Sequence, residues 1–65
     1  MDSIIIRVDE LAQKVSEMVG DGMDYVELTL TEAEPDLPAA VLFSAFKEDS
    51  PVEHIDYEEV DAAEL

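Results

Sequence analysis

Apolar and polar residues alternate strictly over residues 25–31. The apolar side chains in this segment are Val26, Leu28 and Leu30. Successive side chains of a strand point to opposite faces, so this period of two predicts a β-strand over residues 24–31 with one buried face. A second apolar segment, residues 39–46, follows an acidic connector that contains two prolines. We predict that the two segments pair as an antiparallel hairpin and that the connector is an irregular loop.

The second hairpin segment is apolar on both faces. Val41 and Phe43 fall on one face and Phe46 on the other, each with alanine or leucine neighbours. A strand with two apolar faces usually has both of them covered. One helix covers only one face, so the C-terminal segment or a second copy of the chain has to cover the other. We therefore expect a homodimer. The residues predicted to mediate self-association are Val41, Phe43 and Phe46.

The hydrophobic period changes to that of a helix after residue 7. One apolar stripe at helical spacing is formed by Val8, Leu11, Ala12, Val15, Met18 and Val19. Asp9 is suited to cap the first turn, and Gly20 and Gly22 are suited to end the helix. The spacing predicts a helix over residues 9–19 whose apolar stripe packs on the sheet.

The two ends of the chain carry weaker signals. Three consecutive isoleucines predict a short strand over residues 3–7; the alternative is a disordered start whose isoleucines dock loosely on the core. Alternation near the C-terminus predicts a third strand over residues 54–58, followed by a frayed or weakly helical tail. The predicted fold is a single small α+β domain over residues 1–65, with one amphipathic helix on a short antiparallel sheet in the order β-α-β-β.

The composition sets the limits of this fold. The chain has 65 residues and is 48% hydrophobic, which argues against simple disorder. A chain of about 60 residues buries only roughly 60% of the surface that its unfolded form exposes, so the core is thin. Because the chain has no cysteine, disulfides cannot reinforce it. Stability must come from packing or from a partner.

The charge excludes two classes of binding surface. The 18 acidic and 3 basic residues give a net charge of -15. Binding to nucleic acid or to an anionic membrane relies on lysine and arginine, so we expect neither. The apolar run near the N-terminus is too short for a signal-peptide core or a membrane span, and the chain is predicted to be cytoplasmic.

Candidate chemistry is sparse. His54, the only histidine, lies near Glu53 and Asp56 and could act as a base or a metal ligand. An exposed histidine in an acidic loop is the simpler interpretation, and we favour it. Asp21 and Asp24 superficially resemble part of a calcium loop but lack the required spacing. We predict that the chain is not an enzyme and holds no cofactor or metal.

The carboxylates are the strongest functional signal. Solubility alone needs a net charge of only about 2 to 8 in a small domain, so the excess invites a functional explanation. The predicted function is a non-enzymatic module that binds a basic protein surface. In its sharpest form the module mimics nucleic acid, as small inhibitors carried by phages and mobile elements do. The alternative is a structural subunit that self-associates through its sheet and is acidic only for solubility. The predicted partner-binding carboxylates are Glu27, Glu32, Glu34, Asp36, Glu58, Glu59 and Asp61.

Overall fold

The computed structural model describes residues 3–65 and contains one helix followed by a three-stranded antiparallel sheet. The elements are α1 (Val8–Gly20), β1 (Tyr25–Thr31), β2 (Ala40–Lys47) and β3 (Ser50–Asp61), with sheet order β1-β2-β3. The α+β class, with one helix and an antiparallel three-stranded sheet, is confirmed. The predicted β-α-β-β order is wrong, because the helix comes first and three strands follow it.

Residues 3–7 form no strand, although their side chains alternate as a strand would predict. Ile4 and Ile6 are half-buried against the core, whereas Ile5 is exposed. The carbonyl of Ile5 accepts a hydrogen bond from the amide of Ala63 at 2.8 Å. Ala63 lies beyond the end of β3, so there is no strand alongside for a ladder to form. The segment therefore lies against the core as extended chain outside the sheet.

The N-terminus of α1 differs from the prediction. The helix begins at Val8, and the extended residue Arg7 occupies the N-cap position without a side-chain cap. Asp9 therefore lies within the first turn, where its Oδ1 accepts a hydrogen bond from the amide of Glu10 at 3.0 Å. Its negative charge still stabilises the positive end of the helix dipole.

The C-terminus of α1 closes as a Schellman motif. The amide of Gly22 donates to the carbonyl of Val19 and the amide of Met23 to that of Met18, both at 3.0 Å. Gly22 adopts φ 78°, the left-handed conformation that this motif requires and that glycine adopts without steric cost. Met23 packs beside Met18 at the edge of the core, so the motif also turns the chain towards β1.

The sheet has an inner face, which α1 covers in part, and an outer face that no helix covers. Val41, Phe43 and Ala45 of β2 point inward and form the core together with Met18 and Val60. Phe43 is 2% exposed and Ala45 0%, so β2 is the centre of the molecule. A layer this small is the thin core that the length of the chain predicts.

Strand β3 is longer than its alternation predicts. Val41 pairs with Val60, whereas Phe43, two residues later, pairs with Tyr57, three residues earlier on β3. The extra residue is a β-bulge at Glu58 and Glu59, which lets Tyr57 and Val60 both face inward. A spacing of three resembles a helix in the sequence. This spacing explains why the sequence predicted a frayed or weakly helical tail, although residues 59–61 belong to β3.

The apolar stripe of α1 faces away from the core, which corrects the prediction. Of the six stripe residues only Met18 is buried. Lys14, which lies one turn before Met18 and outside the stripe, is also buried. Val8 is 81% exposed and Val19 69%. We call the exposed part of this surface the helix stripe. It consists of Val8, Leu11, Ala12, Val15 and Val19.

Polar contacts to β3 set this orientation. The ammonium of Lys14 lies 3.2 Å from a carboxylate oxygen of Glu17 and 4.0 Å from one of Glu58, while its aliphatic stem is buried. The hydroxyl of Tyr57 donates to Asp21 at 2.6 Å. These contacts place α1 along β3, antiparallel to it.

The helix therefore leaves β1 uncovered on the inner face. Val26, Leu28 and Leu30 lie directly opposite the inward-facing residues of β2, so they point to the same side of the sheet as α1. Leu28 is nevertheless 57% exposed, Val26 40% and Leu30 38%. We call these three residues the β1 inner row.

Candidate functional site

Four of the predicted partner-binding carboxylates converge at one end of the sheet. We call this surface the acidic end, and its carboxylates are Glu32, Glu34, Glu59 and Asp61. They line a shallow depression of about 350 Å³ between the β1–β2 loop and the end of β3, together with Leu37 and Pro38. Within residues 3–65, no lysine, arginine or histidine lines this depression.

The backbone of the β1–β2 loop holds the acidic end in place. Glu34 and Leu37 exchange backbone hydrogen bonds of 2.8 and 3.2 Å around a turn with Pro35 and Asp36 at its corner. Proline is well suited to this corner because its ring fixes φ near the value the turn needs. Asp36 consequently stands at the tip of the loop and is exposed.

The base of the loop is closed by Thr31. Its hydroxyl accepts a hydrogen bond from the amide of Ala40 at 3.1 Å, and the Ala40 carbonyl lies 3.4 Å from the same hydroxyl. Ala40 is 1% exposed and pairs with Asp61 of β3. The base of the loop is thus paired, through the buried residue Ala40, with the end of β3. This pairing fixes the backbone on which the loop carboxylates and the β3 carboxylates lie.

The remaining predicted carboxylates lie elsewhere. Glu58 faces Lys14 and lines a second depression of about 270 Å³ between α1 and β3, which Glu59 and Asp61 also line. Glu27 lies on the outer face opposite Ser44, and Asp56 lies on the other side of Ser44. Both carboxylates line an outer-face depression of about 340 Å³. Asp56 was missed as a site residue, although its alternation with Tyr57 places it on this face.

Two of the three cations pair with carboxylates that do not line the depression at the acidic end. The guanidinium of Arg7 donates to both carboxylate oxygens of Asp9, at 2.9 and 3.1 Å. This hydrogen-bonded pair raises the pKa of Arg7 and lowers the pKa of Asp9. Lys14 is engaged by Glu17 and Glu58. Lys14 nevertheless lines the depression between α1 and β3 together with Glu59 and Asp61, so one cation lies near the β3 side of the acidic end.

His54 lies in β3, as the strand predicted over residues 54–58 requires, and not in the acidic loop of the favoured interpretation. Its Nε2 lies 3.0 Å from the carbonyl of Pro51, and its Nδ1 lies 3.2 Å from the hydroxyl of Ser44. In the neutral tautomer that carries its proton on Nε2, Nε2 donates to the carbonyl and Nδ1 accepts from the hydroxyl, so both nitrogens are satisfied. This arrangement favours a structural role over catalysis.

A stack of rings crosses the outer face at the end opposite the acidic end. The ring of Phe46 stacks on Tyr25 with centroids 5.4 Å apart and on His54 with centroids 4.7 Å apart. Cross-strand aromatic pairs of this kind stabilise neighbouring strands. Both faces of Phe46 are therefore used within the chain. The C-terminal segment, as β3, lies beside this face of β2 without covering it.

The residues predicted to mediate self-association lie in different places. Val41 and Phe43 belong to the core of the single chain, so a second copy could reach them only by opening that core. Phe46 is half-buried in the ring stack. Two apolar surfaces that do remain accessible are the helix stripe and the β1 inner row.

The residues that resemble part of a calcium loop have other partners. Asp21 accepts the hydroxyl of Tyr57, and Asp24 accepts a hydrogen bond from the amide of Glu48 at 2.8 Å. In the described part of the chain, no group of three or more histidine, aspartate or glutamate side chains is arranged to hold a metal ion. None of the helical residues described forms a span long and apolar enough to cross a membrane.

Comparison of the chain with models of protein families, with curated proteins and with solved structures finds no match.

Proposed function

We propose that this chain is a non-enzymatic interaction module that binds a basic protein surface through its acidic end. The observation that carries the proposal is the convergence of Glu32, Glu34, Glu59 and Asp61 around one depression lined by no cationic side chain of residues 3–65. Like charges that line one depression repel one another. A basic partner is attracted to all four carboxylates and offsets the repulsion between them.

The shape of the acidic end favours a protein surface over a single small ion. The four carboxylates rim an open depression, with Leu37 and Pro38 providing apolar contact area between them. Lysine and arginine side chains combine a charged head with an aliphatic stem, so they suit a surface of this mixed kind. The fixed loop and strand also limit the entropy lost on binding, because these carboxylates start from an ordered backbone.

The proposal is tested by charge reversal at matched positions. We expect the double variant Glu59→Lys/Asp61→Lys to lose the basic proteins that the wild-type chain retains from a cell lysate. The control variant Glu48→Lys/Asp49→Lys has the same charge change in the β2–β3 turn at the opposite end of the sheet, and it should retain them. Equal loss in both variants would show that overall charge, rather than the acidic end, determines binding.

Salt dependence provides the second readout. Raising the salt concentration from about 50 to 300 mM should weaken retention steeply, because screening reduces the attraction between exposed charges. Retention that is unchanged over this range would contradict the proposal. Mimicry of nucleic acid, its sharper form, predicts in addition that duplex DNA or RNA displaces the chain from its partner.

A further inference from the structure

The helix stripe and the β1 inner row are both apolar and exposed, and the placement of α1 indicates that they adjoin. We call the space between them the open corner. On a helical wheel of 100° per residue, Lys14 and Asp21 lie on one side of Met18, whereas Val15 and Val19 lie on the other. Lys14 and Asp21 contact β3, so the helix stripe faces away from β3. Because the sheet order is β1-β2-β3 and α1 runs along β3, away from β3 means towards β1.

Simple geometry explains why a single chain leaves this corner open. A helix is about 10 Å wide with its side chains, and neighbouring strands are about 4.8 Å apart, so one helix covers about two strands. The third strand then remains bare on the helix side. With α1 placed over β3 and β2, the bare strand is β1.

The corner is free of charge, which distinguishes it from the rest of this acidic surface. The shallow groove along α1 is lined by neutral residues only, namely Val8, Leu11, Ala12, Val15, Ser16 and Val19. The β1 inner row adds two leucines and a valine. A basic partner finds no carboxylate to pair with there. A second copy of the chain, also of charge -15, meets no carboxylate on these two surfaces.

The exposed area matches what a dimer needs. The exposed fractions of the four large helix-stripe residues and the β1 inner row together amount to between three and four whole side chains. At about 100 Å² of apolar surface each, this is on the order of 400 Å². A standard interface buries about 800 Å² per partner, of which roughly 60% is apolar.

We propose that two copies of this chain associate inner side to inner side about a two-fold axis. The helix stripe of each copy inserts into the open corner of the other and covers its β1 inner row. Such an interface is isologous, because each chain supplies both the ridge and the corner that receives it. The outer face and the acidic end stay accessible, so this proposal does not depend on the proposed function.

The association state at two salt concentrations tests the proposal. Sedimentation equilibrium should show a dimer that tightens between about 50 and 300 mM salt, because screening reduces the repulsion between the copies. This sign is opposite to that expected for a basic partner. A chain that remains monomeric at high micromolar concentration in about 300 mM salt overturns the proposal.

Single charges placed in the corner identify the interface. Val15→Asp and Leu28→Asp should each weaken dimerisation at least about tenfold, since each buries an unpaired carboxylate. Val52→Asp is the matched control, because Val52 is 90% exposed on β3 away from the corner. Circular dichroism checks that all three variants fold. A folded Val15→Asp or Leu28→Asp variant that dimerises like Val52→Asp overturns the proposal.

The absence of cysteine allows a direct test of the pairing. A Val15→Cys chain mixed with a Leu28→Cys chain should form a mixed disulfide on mild oxidation, with a yield well above that of Val15→Cys mixed with Val52→Cys. Equal yields in the two mixtures would overturn the reciprocal arrangement. A corner occupied instead by another protein would leave the purified chain monomeric, and that outcome also counts against the proposal.

Discussion

The hydroxyl of Tyr57 donates to the carboxylate of Asp21 at 2.6 Å and thereby joins β3 to the residue that follows α1. The carboxylate favours the protonated phenol, and this hydrogen bond raises the pKa of Tyr57 to about 12. An unfolded chain gives tyrosine its ordinary pKa of about 10. The fold therefore binds the phenolic proton more tightly than the unfolded chain does.

This difference in pKa predicts how stability changes at alkaline pH. The contribution of the Tyr57 hydrogen bond is fully present below about pH 10 and is lost as the pH rises to about 12. Urea unfolding of the wild-type chain should show a falling free energy of unfolding across this window, and Tyr57→Phe should reduce that slope. Tyr25→Phe is the control and should not change it. An unchanged slope in Tyr57→Phe would contradict the prediction.

Individual residues were predictable from the sequence where one local rule decides their role. Gly22 ends the helix because its left-handed conformation suits glycine. His54 was expected to be an exposed residue of an acidic loop, whereas its partners Ser44 and Pro51 depend on the pairing of β2 with β3 and on the irregular register at the start of β3. Contacts of this kind follow from tertiary structure, so the sequence alone did not reveal them.

At the scale of elements, the sequence predicts the helix correctly but not the direction in which it faces. The apolar stripe has the right period, and a core-facing orientation is the usual outcome for such a stripe. The observed orientation turns on Lys14, whose stem is buried and whose ammonium reaches Glu17 and Glu58. A lysine beside the stripe is not a signal of burial in the sequence. The bulge of β3 likewise has no signal of its own in the sequence.

The helix is consequently anchored by one apolar side chain. Met18 is 6% exposed, and Met18→Ala should lower the free energy of unfolding by about 2 to 3 kcal/mol because it leaves a cavity under α1. Val15→Ala should change it by less than about 0.5 kcal/mol in dilute, monomeric protein. Urea titrations followed by circular dichroism measure both. Equal losses would show that the helix stripe contributes to the core after all.

At the scale of the whole molecule, composition predicts both the thin core and the strong negative field. The convergence of four predicted carboxylates at the acidic end follows from the pairing of Thr31 with Ala40 and of Ala40 with Asp61. Pairing across three strands brings together residues about 30 positions apart, and no local pattern encodes it. The sequence therefore shows how many carboxylates the chain carries, but not which of them meet.

The unbalanced charge predicts that salt stabilises the folded chain. Screening reduces repulsion more in the compact state, so the midpoint of thermal unfolding should rise by several degrees between about 20 and 300 mM salt. The variant Glu59→Lys/Asp61→Lys raises the net charge of -15 by four and should show a smaller rise. Scanning calorimetry at constant protein concentration measures both. A midpoint that is independent of salt would contradict the prediction.

The attachment of α1 to β3 also constrains how this chain is made. The helix is synthesised before the three strands of this sheet, yet Tyr57, which holds it in place, lies 36 residues after its partner Asp21. On the ribosome, Met18 therefore emerges with nothing to cover it until the strands that form the core follow. Transiently exposed apolar surface of this kind attracts chaperones and promotes aggregation. Completion of β3 is thus the event that protects the nascent chain.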